Sequence, residues 1–227
     1  MRKELPKYPE YKDSGNKWIG AMPQEWELWR LRFLAPLQGG YAFKSEAFQT
    51  EGVAVVRMNN IKRGILDLCD VARVQWGPER FNLNAGDLLL GMSGSIGETG
   101  SLGNWARVEP DDLPCYFNQR VGRFLCSDQI LPELLAYLIQ SKVFAEPNLL
   151  EVTGTAQFNI SSAQVGDVAV PVPSLTEQKS IITFLDAETG KIDRLLGVRG
   201  RQIEVLREQR AAVIHHAVTH GLDPRKD

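Results

Sequence analysis

Cysteine is scarce in this sequence, long apolar runs are missing, and positive charge is not in excess. Its three cysteines, Cys69, Cys115 and Cys126, are odd in number and have no metal-type spacing. That excludes a disulfide framework and a zinc motif, and it reads as reduced thiols in a cytoplasmic protein. No apolar run approaches the roughly 18 residues that a membrane helix needs. The start, Met1-Arg2-Lys3-Glu4-Leu5-Pro6, has no apolar stretch behind its charges and so lacks the form of a signal peptide. No membrane role is expected. The net charge of −2 and pI near 6.0 weigh against a stand-alone, non-specific nucleic-acid binder. A local basic surface remains compatible with that average if partners supply other contacts.

Catalytic signatures are missing too. Gly91-Met92-Ser93-Gly94-Ser95-Ile96-Gly97 lacks the lysine ending of a P-loop and the spacing of a dinucleotide fingerprint. His216 and His220 stand four apart with no third ligand at useful spacing, so they read as a surface pair, with no metal or cofactor implied. Cys115 has no histidine beside it in sequence to activate it. No adenine-methyltransferase motif (Asn-Pro-Pro-Tyr or Asp-Pro-Pro-Tyr) and no nuclease-type acid and lysine set is present. The chain is expected not to be an enzyme.

What is present divides into regions of different texture. Residues 1–20 are polar and aromatic, with Tyr8, Tyr11 and Trp18, and read as an arm packed on a domain. Through residue 173, strand-length apolar runs such as Val53-Ala54-Val55-Val56, Asp87-Leu88-Leu89-Leu90 and Val168-Ala169-Val170 alternate with turn residues. Leu131 to Ile139 has Pro132 in its first turn and a helical apolar stripe. The fold class is therefore mixed α and β (α+β). From 174 to 220 the character changes. Ser174-Leu175-Thr176-Glu177 is a capping box, and Pro171 and Pro173 keep the helix from extending backward. Ile182, Leu185, Ile192, Leu196, Ile203, Leu206, Val213 and Ala217 then fall on one heptad stripe, interrupted at Thr189, Arg199 and Arg210. Such a helix is on the order of 65 Å long, more than one small domain can cover. It is expected to pair with another helix, with an ordinary core helix pair as the alternative. Gly190, Gly197 and Gly200 mark either a kink or a close helix approach, and Gly221 and Pro224 open a short tail at 221–227.

Several segments, in order, resemble the specificity subunit of type I restriction–modification systems. They are Tyr11 to Gly15, Trp18-Ile19-Gly20 and Pro23 to Trp26; Gly40 to Ser45 and Val56 to Ile61; Gly86 to Leu90 and Ser93 to Gly97; Asn118-Gln119; Gly154 to Ser161; and Pro171-Val172-Pro173 leading to Glu177-Gln178, Ile181-Ile182 and Phe184-Leu185-Asp186. The resemblance implies a target recognition domain over 1–173 followed by a conserved-type spacer helix over 174–220. It implies double-stranded DNA as ligand, methyltransferase and restriction subunits as partners, and no cofactor. Full members carry two such units with their helices paired antiparallel. This chain has one, and two readings stay open: a half-subunit that dimerises, or the amino-terminal half of a longer chain.

Sequence-specific binding needs cations for phosphates and amides, hydroxyls or guanidinium groups for base edges. Candidate loops with these groups contain Tyr41, Lys44 and Ser45; Arg57, Asn59, Asn60, Lys62 and Arg63; Ser93 and Ser95; and Thr155, Gln157 and Asn159. Each has a plainer reading: solvated charges for Arg57, Lys62 and Arg63; packing for Tyr41 and its neighbour Phe43; a structural turn for 93–97; and a turn-satisfying amide for Asn159. A coiled-coil scaffold, or a decoy that occupies partner subunits without reading DNA, is the competing function. For the helix, replacing Leu196 and Ile203 together with Lys is expected to leave the globular part folded and abolish self-association. Sedimentation and far-UV circular dichroism check both halves of that expectation.

Overall fold

Leu88, Leu89 and Leu90 are all buried, yet they serve two different cores. Side chains alternate along a strand. Leu88 and Leu90 therefore point into a cluster with Leu31, Leu34, Phe124, Leu135 and Val165, while Leu89 joins Val55, Val56, Ala106, Phe117 and Val121. A run of three buried leucines is the signature of a strand covered on both faces. In the computed structural model, which describes residues 8–95, 102–150 and 158–222 (149 and 150 by backbone only), that strand is Leu88–Gly91.

Its sheet is antiparallel throughout, in the order Trp105–Arg107, Leu88–Gly91, Val121–Phe124, Leu37–Gly39. The helices Leu31–Leu34, Pro132–Ile139, Lys142–Leu150 and Ser162–Asp167 contribute to the core on one face. On the other face lies a second sheet, in the order Cys115–Phe117, Val53–Val56, Ala72–Val74, Phe48–Gln49. The Cys115–Phe117 and Val53–Val56 strands pair in parallel, and the remaining neighbours are antiparallel. This is the mixed α+β domain expected from the sequence. Arg123 is buried between the layers. Its guanidinium donates to the Asn82 carbonyl (2.8 Å), the Asp87 carboxylate (3.1 Å) and the Gln38 amide oxygen (2.7 Å). Asp87 thus supplies the counter-charge for a buried cation, which is costly to leave unpaired.

Toward the N-terminus, Tyr8 meets Tyr11 and Trp26 edge-on at centroid distances of 6.0 and 5.8 Å. Tyr11–Asp13 pairs with Ala21–Pro23, and Glu27–Arg30 pairs with Ala169–Val172.

The long helix runs from Leu175 to His220, 46 residues or about 69 Å. By compactness the chain divides into units at Lys179 and Ser180, so the helix's first turn belongs to the globular unit. Gln178 is the reason. It is fully buried; its amide oxygen accepts the Leu131 N–H (2.9 Å), and its amide nitrogen donates to the Gln129 and Pro173 carbonyls (2.9 and 3.0 Å). Each such bond stabilises by roughly 0.5–1.5 kcal/mol net, and each buried partner left without one costs about 1–3. Ser174 Oγ accepts the Glu177 N–H at 3.3 Å, one arm of the expected capping box, and the Glu177 carboxylate accepts the Tyr8 hydroxyl. Tyr8's own pKa is pushed up to about 12, first by that hydrogen bond.

In the second unit the helix passes through Gly190, Gly197 and Gly200 without interruption. A Cβ at any of them would meet nothing closer than an arginine tip at 3.8 Å, so no intrahelical packing requires the glycines. Ile182 and Leu185 are half-buried, whereas Ile192, Leu196, Ile203, Leu206 and Val213 are exposed. His216 and His220 stack with centroids 5.1 Å apart, and no group of three metal-ligating side chains occurs among the described residues. No described helix is long and apolar enough to cross a membrane. The buried Cys115 thiol is pushed up to about 12 by desolvation, reinforced by Asp112 and Asp87, so it stays protonated and unreactive at neutral pH.

Candidate nucleic-acid interface

A polar tripeptide, Asn118-Gln119-Arg120, turns the chain between the strands Cys115–Phe117 and Val121–Phe124. Its backbone is where the candidate loops meet. Asn118 N–H donates to the Val56 carbonyl (2.9 Å), Gln119 N–H to the Tyr41 carbonyl (3.1 Å), and the Arg120 carbonyl accepts Met92 N–H (2.9 Å). Met92 in turn accepts the Ile160 N–H at 2.9 Å. Segments near residues 41, 56, 92 and 160 are thereby fixed side by side at one rim. Gly40 makes the approach feasible: a Cβ there would lie 2.4 Å from the Phe117 and Asn118 carbonyl oxygens, which no other residue tolerates. The hairpin Ile61–Lys62 and Ile65–Leu66 joins through Asn104, whose carbonyl accepts Gly91 N–H (2.7 Å) and whose side chain donates to the Ile61 carbonyl (3.3 Å).

At this rim the candidate residues fall into distinct groups. Lys44, Ser45, Asn59, Lys62, Arg63 and Ser95 are exposed. Tyr41 is half-buried, with its ring 4.9 Å from Phe43 and 5.4 Å from Phe81, so it packs. Arg57 is half-buried with its guanidinium 6.0 Å from the Phe48 ring. Asn60 requires a correction. It is only 3% exposed; its Oδ1 accepts Arg57 N–H (3.0 Å) and its Nδ2 donates to the Asp67 carbonyl (2.9 Å). Both ends of the amide are used to brace the hairpin's base, leaving none for a nucleic-acid base. Ser93 requires another. It is 1% exposed, and its Oγ donates to Asn159 Oδ1 at 2.6 Å across the antiparallel pair Ser93–Gly94 and Phe158–Asn159. That excludes a phosphate cradle at Ser93, and it gives Asn159 a bracing role toward side chains in a strand pair, not the turn-satisfying one of its plainer reading. Thr155 and Gln157 lie outside the described residues.

Arg120 is the rim residue that sequence reasoning missed. It is exposed, and its Nη1 reaches Asn159 Oδ1 at 3.2 Å, so the Ser93–Asn159 pair also orients a surface guanidinium. The available signal was a polar tripeptide ending in Arg between two apolar runs.

The chain belongs to the family described as type I restriction modification DNA specificity domain, whose model matches residues 23–196. It is similar to the type I restriction enzyme MjaVIII specificity subunit of Methanocaldococcus jannaschii, 26% identical over 92% of this chain and 49% of that one. It is also similar to the EcoAI specificity subunit of Escherichia coli, 28% identical over 73% of this chain and 28% of that one. Among solved structures, a chain from work on complex assembly and conformational transition of the type I R-M system shares the fold, with a TM-score of 0.71, 18% identity, and coverage of 93% of this chain and 49% of that one. The HsdS subunit from Thermoanaerobacter tengcongensis does so with a TM-score of 0.63, 18% identity, and coverage of 93% and 48%. The chain thus spans about half the length, or less, of these relatives.

The adjacent asparagines offer a direct check on the rim's division of labour. Asn60→Leu is expected to destabilise the fold by about 1–3 kcal/mol, because two part-buried backbone groups lose their partner. Asn59→Ala is expected to change stability by no more than about 0.5 kcal/mol. Urea midpoints of the two variants measure both.

Proposed function

We propose that this chain is a non-catalytic, cytoplasmic DNA sequence-recognition module. In this reading it binds half of a split target through the rim and docks methyltransferase and restriction subunits by way of its helix. The observation that carries the reading is the convergence of loops near residues 41, 56, 92 and 160 on the Asn118-Gln119-Arg120 turn. One rigid edge thereby offers Lys44, Lys62, Arg63 and Arg120 to phosphates, and Ser45, Asn59 and Ser95 to base edges. Membership of the specificity-domain family supports the same assignment. Loops on a rigid sheet suit recognition because their bases are fixed while their tips are free to vary.

The exposed apolar positions of the helix support self-association, or pairing with an equivalent helix, since such a stripe in water is unfavourable. A second copy would hold a second rim at a set separation and read a symmetric interrupted target. Mapping methylated adenines genome-wide separates the arrangements: a symmetric motif supports paired copies of this chain, and an asymmetric one supports a second, different recognition domain.

A gel shift with the methyltransferase subunit present tests the core of the reading. Capture of that subunit without any DNA shift would favour a scaffold or decoy instead. Within a complex that binds, Lys62→Ala with Arg63→Ala is expected to weaken binding. It should also flatten the plot of log affinity against log salt, by about 0.9 for each phosphate that is no longer neutralised. An unchanged slope would remove the hairpin from the interface.

A further inference from the structure

The hairpin tip carries a set of features that packing does not account for. Arg63 sits at φ +32°, followed by Gly64 at φ +108°. Two-residue hairpin turns of this kind favour Asn-Gly or Gly-Gly, because a Cβ is unfavourable at positive φ. Beyond the turn, Ile65 is 65% exposed and sits directly across from the exposed Lys62. A single exposed isoleucine is ordinary on a protein surface. Here, however, it stands beside two cations on a backbone clamped from below. Gly64 N–H donates to the Trp105 carbonyl (2.7 Å), and the Gly64 carbonyl accepts Arg107 N–H (3.1 Å). The Trp105 ring lies beneath Gly64, where a Cβ would come 3.4 Å from it.

The tip is therefore a stiff two-stranded ribbon presenting two cations and one branched apolar side chain. A ribbon of this kind fits the major groove, which is about 12 Å wide. There phosphates line the walls, and the one apolar group on the floor is the thymine 5-methyl. We propose that Ile65 reads a thymine methyl group, with Lys62 and Arg63 on the flanking phosphates. This deepens the recognition reading of the rim and rests on it.

The test uses the full chain with its methyltransferase subunit and the duplex target mapped from methylated adenines. Each thymine is replaced in turn by uracil, which differs only in lacking the methyl. The wild-type complex is expected to show one position at which the replacement weakens binding about fourfold, the factor for one buried methyl-sized group. Ile65→Ala should bind the unmodified target more weakly by a similar factor and be indifferent to uracil at that position, whereas Ile65→Val should keep the sensitivity. Because Ile65 is exposed, neither variant threatens the fold. A wild-type complex indifferent to every replacement would overturn the proposal, as would an Ile65→Ala complex with the same sensitive position. A wild-type complex that fails to bind its mapped target would overturn the recognition reading along with it.

Discussion

The Asn118-Gln119-Arg120 turn is the constraint on which the rest of the proposed recognition surface depends. Its backbone groups accept and donate hydrogen bonds to segments near residues 41, 56 and 92. Buried backbone groups must be paired, so these segments cannot shift independently without leaving donors or acceptors unmatched. The side chains repeat the theme: Ser93 and Asn159 join segments 66 residues apart, and Asn60 locks the hairpin's base to Asp67. Polar residues that first look like readers are therefore divided into braces and tips. Braces are buried or half-buried and spend their hydrogen bonds on the protein. Tips are exposed at the rim.

That division explains how much was legible beforehand. Elements with strong local signals were readable: the strand Val53–Val56, the leucine run at 88–90, the helix Pro132–Ile139 behind its proline, and the long helix Leu175–His220 behind its serine and prolines. Each follows from periodicity or capping within a short window. The roles of polar side chains were not readable, because they are set by partners distant in sequence. Asn59 and Asn60 are identical and adjacent, yet one is exposed and the other is 3% exposed. Only the turn of the 3-10 helix Met58–Asn60 separates their fates. Arg120 escaped notice for the matching reason: its orienting partner, Asn159, lies 39 residues away.

The helix poses a different problem. Its anchor is legible in retrospect, since Gln178 sits in the Glu177-Gln178 pair that carried part of the family resemblance, and its burial fixes where the helix starts. Beyond Lys179 the helix carries Ile192, Leu196, Ile203, Leu206 and Val213 to solvent. An apolar stripe left in water is unfavourable, which is the ground on which pairing of this helix is proposed.

The claim that one rim faces the duplex can be tested by placing a photo-crosslinking residue at chosen exposed positions. Substitution at Asn59, Ser95 or Gln119 puts the label on the rim, and substitution at Phe33, 65% exposed on the helix Leu31–Leu34, puts it in the helical layer. Irradiation of the complex on target DNA is predicted to give crosslinks from the rim positions and none from position 33. Crosslinks from position 33 with silent rim positions would contradict the account.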